Sequence, residues 1–321
     1  MPIYDFPQER YFKLSSYLKS ITGGKKVQKI NVDARFSCPN LDGKISSGGC
    51  IYCDNRGFSL NTRKPVRPLA TQIEEGIKNL KKRYGSEKFI VYFQAFTNTY
   101  AGIAILKKEY DIIKDFPEVI GLSIATRPDC INKEIVELID SYAPEYEVWL
   151  ELGLQSVHEK TLEFINRGHT YEEFLKALDL IRKNSAIKVC AHVILGLPGE
   201  TEEMMMETAN KLAELKLEGV KIHPLYVVKG TKLEELFQEG KYMPLEFAEF
   251  NDLAVNFLER LPADMVIQRI SADCPHELLV APKWIIDKNK YEVLKAIEDK
   301  LVGEDKFQGR LYKEEPCPQL S

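Results

Sequence analysis

From Val27 to Val227 the chain alternates short apolar runs with longer stretches of helical spacing, and no other feature restricts its possible folds as strongly. Val27-Gln-Lys-Ile-Asn-Val-Asp33 alternates apolar and polar side chains and is rich in branched ones, which predicts a strand. Phe89-Ile-Val-Tyr-Phe93 is a compact apolar run of the kind a parallel strand shows when both its faces are covered. Further strands are predicted at 120–125, 147–154, 187–195 and 219–227, and helices at 69–83, 103–114, 132–141, 158–183 and 202–216. Six such units predict a parallel sheet with right-handed crossovers, either open and doubly wound or curled into a complete or partial barrel. The unusual polar residues favour the curled form. They fall just after the C-terminal ends of all six strands, at 38–53, 94–98, 127, 151–156, 196–200 and 223–226, whereas a flat sheet concentrates its site at one switch point. The fold class expected is α/β, a partial (β/α)6 TIM-like barrel over residues 26–243. Residues 1–25 then form a basic lead-in, and 244–321 a small α+β C-terminal extension with a helix at 245–261, a strand at 265–271 and a last helix at 291–301.

Composition narrows the class. A chain of 321 residues with 44% hydrophobic and 29% charged residues is globular rather than fibrous or disordered, and its length suits one domain with a small extra lobe. No stretch approaches the ~18 apolar residues of a membrane span, so no membrane partner is expected. The opening Met-Pro-Ile-Tyr-Asp-Phe lacks the basic-then-apolar order of a secretory signal, which leads to the expectation of a cytoplasmic protein. Residues 1–88 hold 17 Lys and Arg against 8 Asp and Glu, and the remainder 27 against 40, so the front is +9 and the rest −13. A basic front attracts polyanions, although such runs are often only solvated helix faces.

Seven cysteines are too few and too unevenly spread for a secreted disulfide framework. Three are clustered as C-x11-C-x2-C, at Cys38, Cys50 and Cys53, with Tyr52 before the last and a Gly48-Gly49 turn before the pair. Thiolates at x2 spacing grip one soft metal centre, and glycines let backbone amides approach the sulfurs. A structural zinc normally takes four closed ligands, and the first histidine of the chain is His158. Three ligands with one open position are what a cluster needs when its fourth iron binds a substrate. Cys130, Cys190, Cys274 and Cys317 form no tight pair and are read as ordinary residues, with Cys274 beside His276 a mild exception.

These cysteines, with later motifs, resemble the radical S-adenosylmethionine (radical SAM) superfamily, and within it the YhcC/YtqA type related to the radical domain of elongator's catalytic subunit. The usual first gap of that superfamily is x3, and here it is x11, a long gap like that of the subgroup. The matching text includes Phe36-Ser-Cys-Pro-Asn40, Gly49-Cys-Ile-Tyr-Cys53, Tyr92-Phe-Gln-Ala-Phe-Thr-Asn-Thr-Tyr100, Thr126-Arg-Pro-Asp129, Glu151-Leu-Gly-Leu-Gln-Ser156, His192-Val-Ile-Leu-Gly-Leu-Pro-Gly-Glu-Thr201 and Lys221-Ile-His-Pro-Leu-Tyr226, so the resemblance spans roughly residues 15–285. It implies a 4Fe-4S cluster on Cys38, Cys50 and Cys53, with S-adenosylmethionine as second cofactor. One-electron reduction of that cofactor would release methionine and a 5'-deoxyadenosyl radical that abstracts hydrogen from substrate. No catalytic residue beyond the cluster and cofactor is expected.

The resemblance also implies cofactor contacts, each with a plainer alternative. Tyr52 precedes the last ligand, and Gln94, Thr97 and Asn98 stand where the family anchors the cofactor's amino group, though they equally suit a polar loop capping the next helix. Glu151, with Gln155 and Ser156, is placed for the ribose hydroxyls; its alternative is an ion pair with Arg127, itself a candidate cofactor contact. Gly196 and Gly199 would let the backbone approach the adenosyl group, or mark a bare turn. His223 and Tyr226 would hold adenine, His223 otherwise being a core histidine.

The kinship to elongator implies a tRNA substrate, a wobble uridine side chain, without elongator's acetyltransferase domain. Arg10, Lys13, Lys19, Lys25 and Lys26 are candidate phosphate contacts, and Tyr11, Phe12 and Tyr17 either stack on bases or pack. A small electron-transfer protein such as flavodoxin or ferredoxin is the expected reductant. Two other readings stay open: a radical enzyme acting on a small metabolite, and a zinc-stapled RNA-binding module without catalysis.

Overall fold

In the computed structural model, which describes residues 4–59, 61–183 and 185–313, the alternation becomes a sheet of seven parallel strands. The strands of the chain are β1 (Val27–Val32), β2 (Lys88–Phe93), β3 (Val119–Thr126), β4 (Glu147–Gln155), β5 (Lys188–Leu195), β6 (Gly219–Pro224), β7 (Val227–Val228), β8 (Val266–Ile270) and β9 (Leu279–Ala281). The large sheet runs β1-β2-β3-β4-β5-β6-β8, while β7 and β9 pair antiparallel as a separate ribbon. Every neighbour in the first six is also the next strand in sequence, as right-handed crossovers of one hand around a curling sheet require.

The curl is visible in a single contact. Lys29 on β1 donates from Nζ to Oε1 of Gln268 on β8 at 2.6 Å, although these are the two edge strands. In a flat sheet six steps of ~4.8 Å would hold them roughly 29 Å apart. The expected TIM-like partial barrel is therefore present as a half-barrel, with one strand more than expected. That strand, foreseen in the C-terminal extension, instead pairs parallel to β6 through Gly219 opposite Val266 and Val220 opposite Ile267. The extension's helices Phe247–Leu258 and Lys290–Gly303 pack on each other beside it.

Two helical expectations are adjusted by backbone chemistry. The stretch 158–183 is two helices, Glu159–Phe164 and Tyr171–Lys183, because Asn166 at φ 52° and Gly168 at φ 70° turn the chain left-handed between them. The strand 219–227 stops at Pro224, and the chain resumes extended structure only in the short ribbon at Val227.

The lead-in closes the barrel at the N-terminal edge of its strands. Ile267 N donates to Phe12 O at 2.8 Å, and the helix Leu14–Ile21 lies against β1 and β8. Tyr4 and Phe12 are buried in one cluster with Trp149, Cys190 and Val266, and Tyr17 packs against it while its hydroxyl donates to Glu147 at 2.5 Å. Tyr11 is buried too, so these rings are core and not a stacking platform. Of the candidate phosphate contacts in the lead-in, Arg10 pairs with Asp305 at 3.0 Å and Lys13 with Glu298 at 2.8 Å. Lys19, Lys25 and Lys26 are exposed but precede β1, at the end of the barrel opposite the cysteine loop. Among the described residues no helix is long and apolar enough to cross a membrane.

Candidate active site

At the C-terminal edge of the sheet one deep cavity takes in Cys38, Cys50 and Cys53 at its loop end and reaches down to Glu151, His192 and Lys221 inside the barrel. The cysteine loop follows β1 and is clamped by the left-handed turn after Phe164. Ile51 N donates to Ile165 O at 3.0 Å, Asn166 Nδ2 to Gly49 O at 2.7 Å and to Ser46 Oγ at 3.1 Å, and Asn40 Nδ2 returns a bond to Asn166 O at 2.7 Å. Gly168 is needed here, since a Cβ would sit 2.4 Å from Asn40 Oδ1.

Polar hydrogens face the sulfurs. Arg167 Nη1 lies 3.5 Å and Asn40 Nδ2 3.6 Å from Cys50 Sγ, and Asn55 Nδ2 3.8 Å from Cys53 Sγ. Burial, then the Cys50 and Cys38 sulfurs nearby, push the Cys53 thiol well up, so its thiolate needs a cation beside it. Among the described residues no three His, Cys, Asp or Glu side chains are gathered tightly enough for a single metal ion. A cluster makes a different demand, one thiolate at each of three irons around a shared cavity, and this donor set with its N–H groups fits it. Thr97 Oγ1, on the lining of that cavity and buried without a partner, further fits a polar ligand.

Deeper in the bore an ionic group joins five strands. Glu151, fully buried on β4, accepts at Oε1 from Lys29 Nζ and Ser123 Oγ, both at 2.6 Å, and at Oε2 from His192 Nε2 at 2.7 Å and from Lys221 Nζ. Burial raises this carboxyl, but the Lys221 and Lys29 ammonium groups outweigh it and hold Glu151 well below the usual range. Burial takes Lys221 down to about 8 despite Glu151, and its Nζ stands 4.1 Å from the Tyr92 ring centre. His192 and His223 face each other with ring centres 5.7 Å apart.

The expected site residues divide accordingly. Tyr52, Gln94, Thr97, Arg127, Gln155, His223 and Tyr226 line the cavity with the three cysteines. Glu151 lines it too, but its oxygens are engaged as above, and its foreseen alternative partner is otherwise bound: Arg127 grips Asp129 through Nε at 2.9 Å and donates to Arg167 O at 2.8 Å. Asn98, Ser156, Gly196 and Gly199 stand behind the wall. Ser156 donates to Glu200, and the close approach at Gly196 is to Leu245, which a Cβ would meet at 2.7 Å. Sequence reasoning missed Arg167, Lys29, His192 and Lys221. His192 and Lys221 lay within the quoted motifs, and Arg167 sits in an Asn-Arg-Gly run whose signal was the turn inside a helical stretch.

The family follows from comparison with known proteins. The radical SAM superfamily model matches residues 44–212, beginning within the long first cysteine gap, and the Radical SAM C-terminal domain model matches 217–302. YtqA of Bacillus subtilis is 37% identical over 97% of this chain and 95% of its own length. The chain belongs to the radical SAM superfamily. As a radical SAM enzyme it is in a family that uses a 4Fe-4S cluster and S-adenosylmethionine, which sets aside the zinc-stapled module. The tRNA uridine(34) acetyltransferase of Methanocaldococcus jannaschii is 34% identical over 50% of the chain, which covers 30% of that protein. Among solved structures, Elp3 of Methanocaldococcus infernus superposes with a TM-score of 0.64 at 20% identity, over 88% of this chain and 64% of that one, a likeness of fold.

The buried imidazoles predict how this radical SAM enzyme responds to acid. Burial, then the Lys221 charge, takes His192 from 6.5 down to about 4; burial, then Arg167, takes His169 to about 2; and burial, then Arg269, holds His223 well below 6.5. Below 6.5 the unfolded chain binds protons that the folded one refuses, so stability falls as pH drops from 6.5 toward 4, by up to about 1.4 kcal/mol per unit for each histidine. Melting curves from pH 7.5 to 4.5 should show the midpoint falling; a midpoint unchanged across that window would contradict the neutral imidazoles.

Proposed function

We propose that this radical SAM enzyme modifies a tRNA, at the side chain of a wobble uridine, with the cluster on Cys38, Cys50 and Cys53. The observation that carries the substrate is the placement of positive charge. Arg35, Lys44, Arg56, Arg63 and Lys64 are all exposed on the segment that follows β1 and carries the cysteines, at the mouth end of the bore, Arg35, Arg56 and Arg63 also pairing there with Asp33, Asp54 and Glu277. Cations there address phosphates while a base enters the cavity. Kinship with the tRNA uridine(34) acetyltransferase over half the chain supports the same reading.

When bound, the cluster and S-adenosylmethionine supply a hydrogen-abstracting 5'-deoxyadenosyl radical. The chain's own residues bind and orient. Thr97 Oγ1 would offer an acceptor to the cofactor's amino group, Gln94 and Gln155 would add amide contacts on the cavity wall, and His223 and Tyr226 would flank the adenine. Tyr52 and Arg127 close the wall around them. The Glu151 group fixes Lys221 and His192 as the polar floor beneath the substrate. A flavodoxin- or ferredoxin-like protein serves as reductant.

The test is anaerobic reconstitution with iron and sulfide, then reduction in the presence of S-adenosylmethionine and assay of 5'-deoxyadenosine with and without bulk tRNA. Stimulation by tRNA, lost when Arg63 and Lys64 are both changed to Glu, supports the reading. Cleavage indifferent to tRNA would sink it in favour of a small metabolite.

A further inference from the structure

We infer that Arg167 sets the reduction potential of the cluster, through a charge-assisted N–H···S contact to Cys50. The inference rests on the assignment of the three cysteines as cluster ligands. Arg167 is a buried guanidinium, exposed by only 7%, and it is held from several sides. Its Nη2 donates to Gly153 O at 2.7 Å, its backbone N to Leu162 O at 2.9 Å, and its backbone O accepts from Arg127 Nη1 at 2.8 Å. Those bonds aim Nη1 at Cys50 Sγ, 3.5 Å away. The turn that presents it is the one that clamps the cysteine loop, so sulfur and guanidinium are fixed in one frame.

No carboxylate accounts for this charge. Among the described residues the acceptors of the guanidinium are a backbone carbonyl and the sulfur, and Nε is buried without a partner. A buried cation with no acidic partner is unfavourable unless negative charge arrives later. Three thiolates and an added electron are such a charge. Reduction places one more negative charge on the cluster, and hydrogen bonds to sulfur together with a fixed positive charge favour the reduced form. Arg167 thus makes the electron easier to add. It is a positioning and tuning residue that touches a ligand sulfur, separate from any contact to substrate.

The experiment is a redox titration of the full, anaerobically reconstituted chain, followed by electron paramagnetic resonance of the reduced cluster, with no substrate present. Arg167→Met should bind iron and sulfide but show about a tenfold smaller reduction constant, a midpoint about 59 mV more negative. Arg167→Lys, which keeps the charge and loses the fork, should fall between the two. If Arg167→Met fails to hold a cluster, Arg167→Gln, which keeps an N–H donor and drops the charge, decides in the same way. A midpoint equal to wild type in these variants would overturn the inference while leaving the cysteine assignment intact. A wild-type chain that takes up no reducible cluster would overturn that assignment, and the inference with it.

Discussion

Replacing Cys38, Cys50 or Cys53 singly with alanine is expected to abolish reductive cleavage of S-adenosylmethionine, with a loss of at least about 100-fold. In the proposed ligand set each sulfur is one of three anchors on a cavity that no other described cysteine lines, Cys130, Cys190 and Cys274 being absent from its wall and Cys317 lying outside the described residues. Removing one leaves an iron without its protein ligand, and the neighbouring thiols cannot stretch to replace it because the 165–168 turn holds the loop in place. Iron and sulfide content, visible absorbance and 5'-deoxyadenosine should fall together. A Cys50→Ala protein that keeps the absorbance and full cleavage would refute the ligand set. Cys190→Ala is the contrasting change, since Cys190 packs with Trp149 and Phe12 at the closed end of the barrel.

The second large effect belongs to stability. Glu151→Gln removes the only carboxylate among the described residues that faces both Lys29 and Lys221, leaving two ammonium groups in the bore. Breaking a buried pair in this way costs about 3–5 kcal/mol, because the uncompensated charge stays buried. Lys221, already down to about 8 with Glu151 present, would drop further, and by shedding its proton it would hold the loss toward the lower end of that range. Denaturant unfolding of the purified chain measures the loss. Adding Lys221→Met to Glu151→Gln should recover part of it, and equal stability of the single variant and wild type would show that the bore is wetter than its contacts imply.

How much of this was readable in advance differs by level. The strands were legible because both-face burial writes compact apolar runs such as Phe89–Phe93, and the strand at 265–271 was found as well. Its membership of the main sheet was not, because pairing between distant segments leaves no local periodicity. The cysteines were legible by chemistry and spacing. Lys29 was not, because a polar residue within an alternating strand looks solvent-facing, and only curling brings it 2.6 Å from both Glu151 and Gln268. Glu151 stood out by its place at a strand end, yet its four partners come from strands far apart in sequence. The lead-in is the opposite case. Its charge is real, but charge counted along a chain carries no information about which end of a barrel it occupies.

The bonds from Asn40, Asn166 and Ile51 tie the cysteine loop to the 165–168 turn through protein contacts of its own. In a zinc finger the metal is a large part of what shapes the loop that holds it. Here part of the entropy of shaping the loop is met by amide bonds that no sulfur takes part in. The loop thus has two supports of different chemistry, and only one of them is exposed to oxidation.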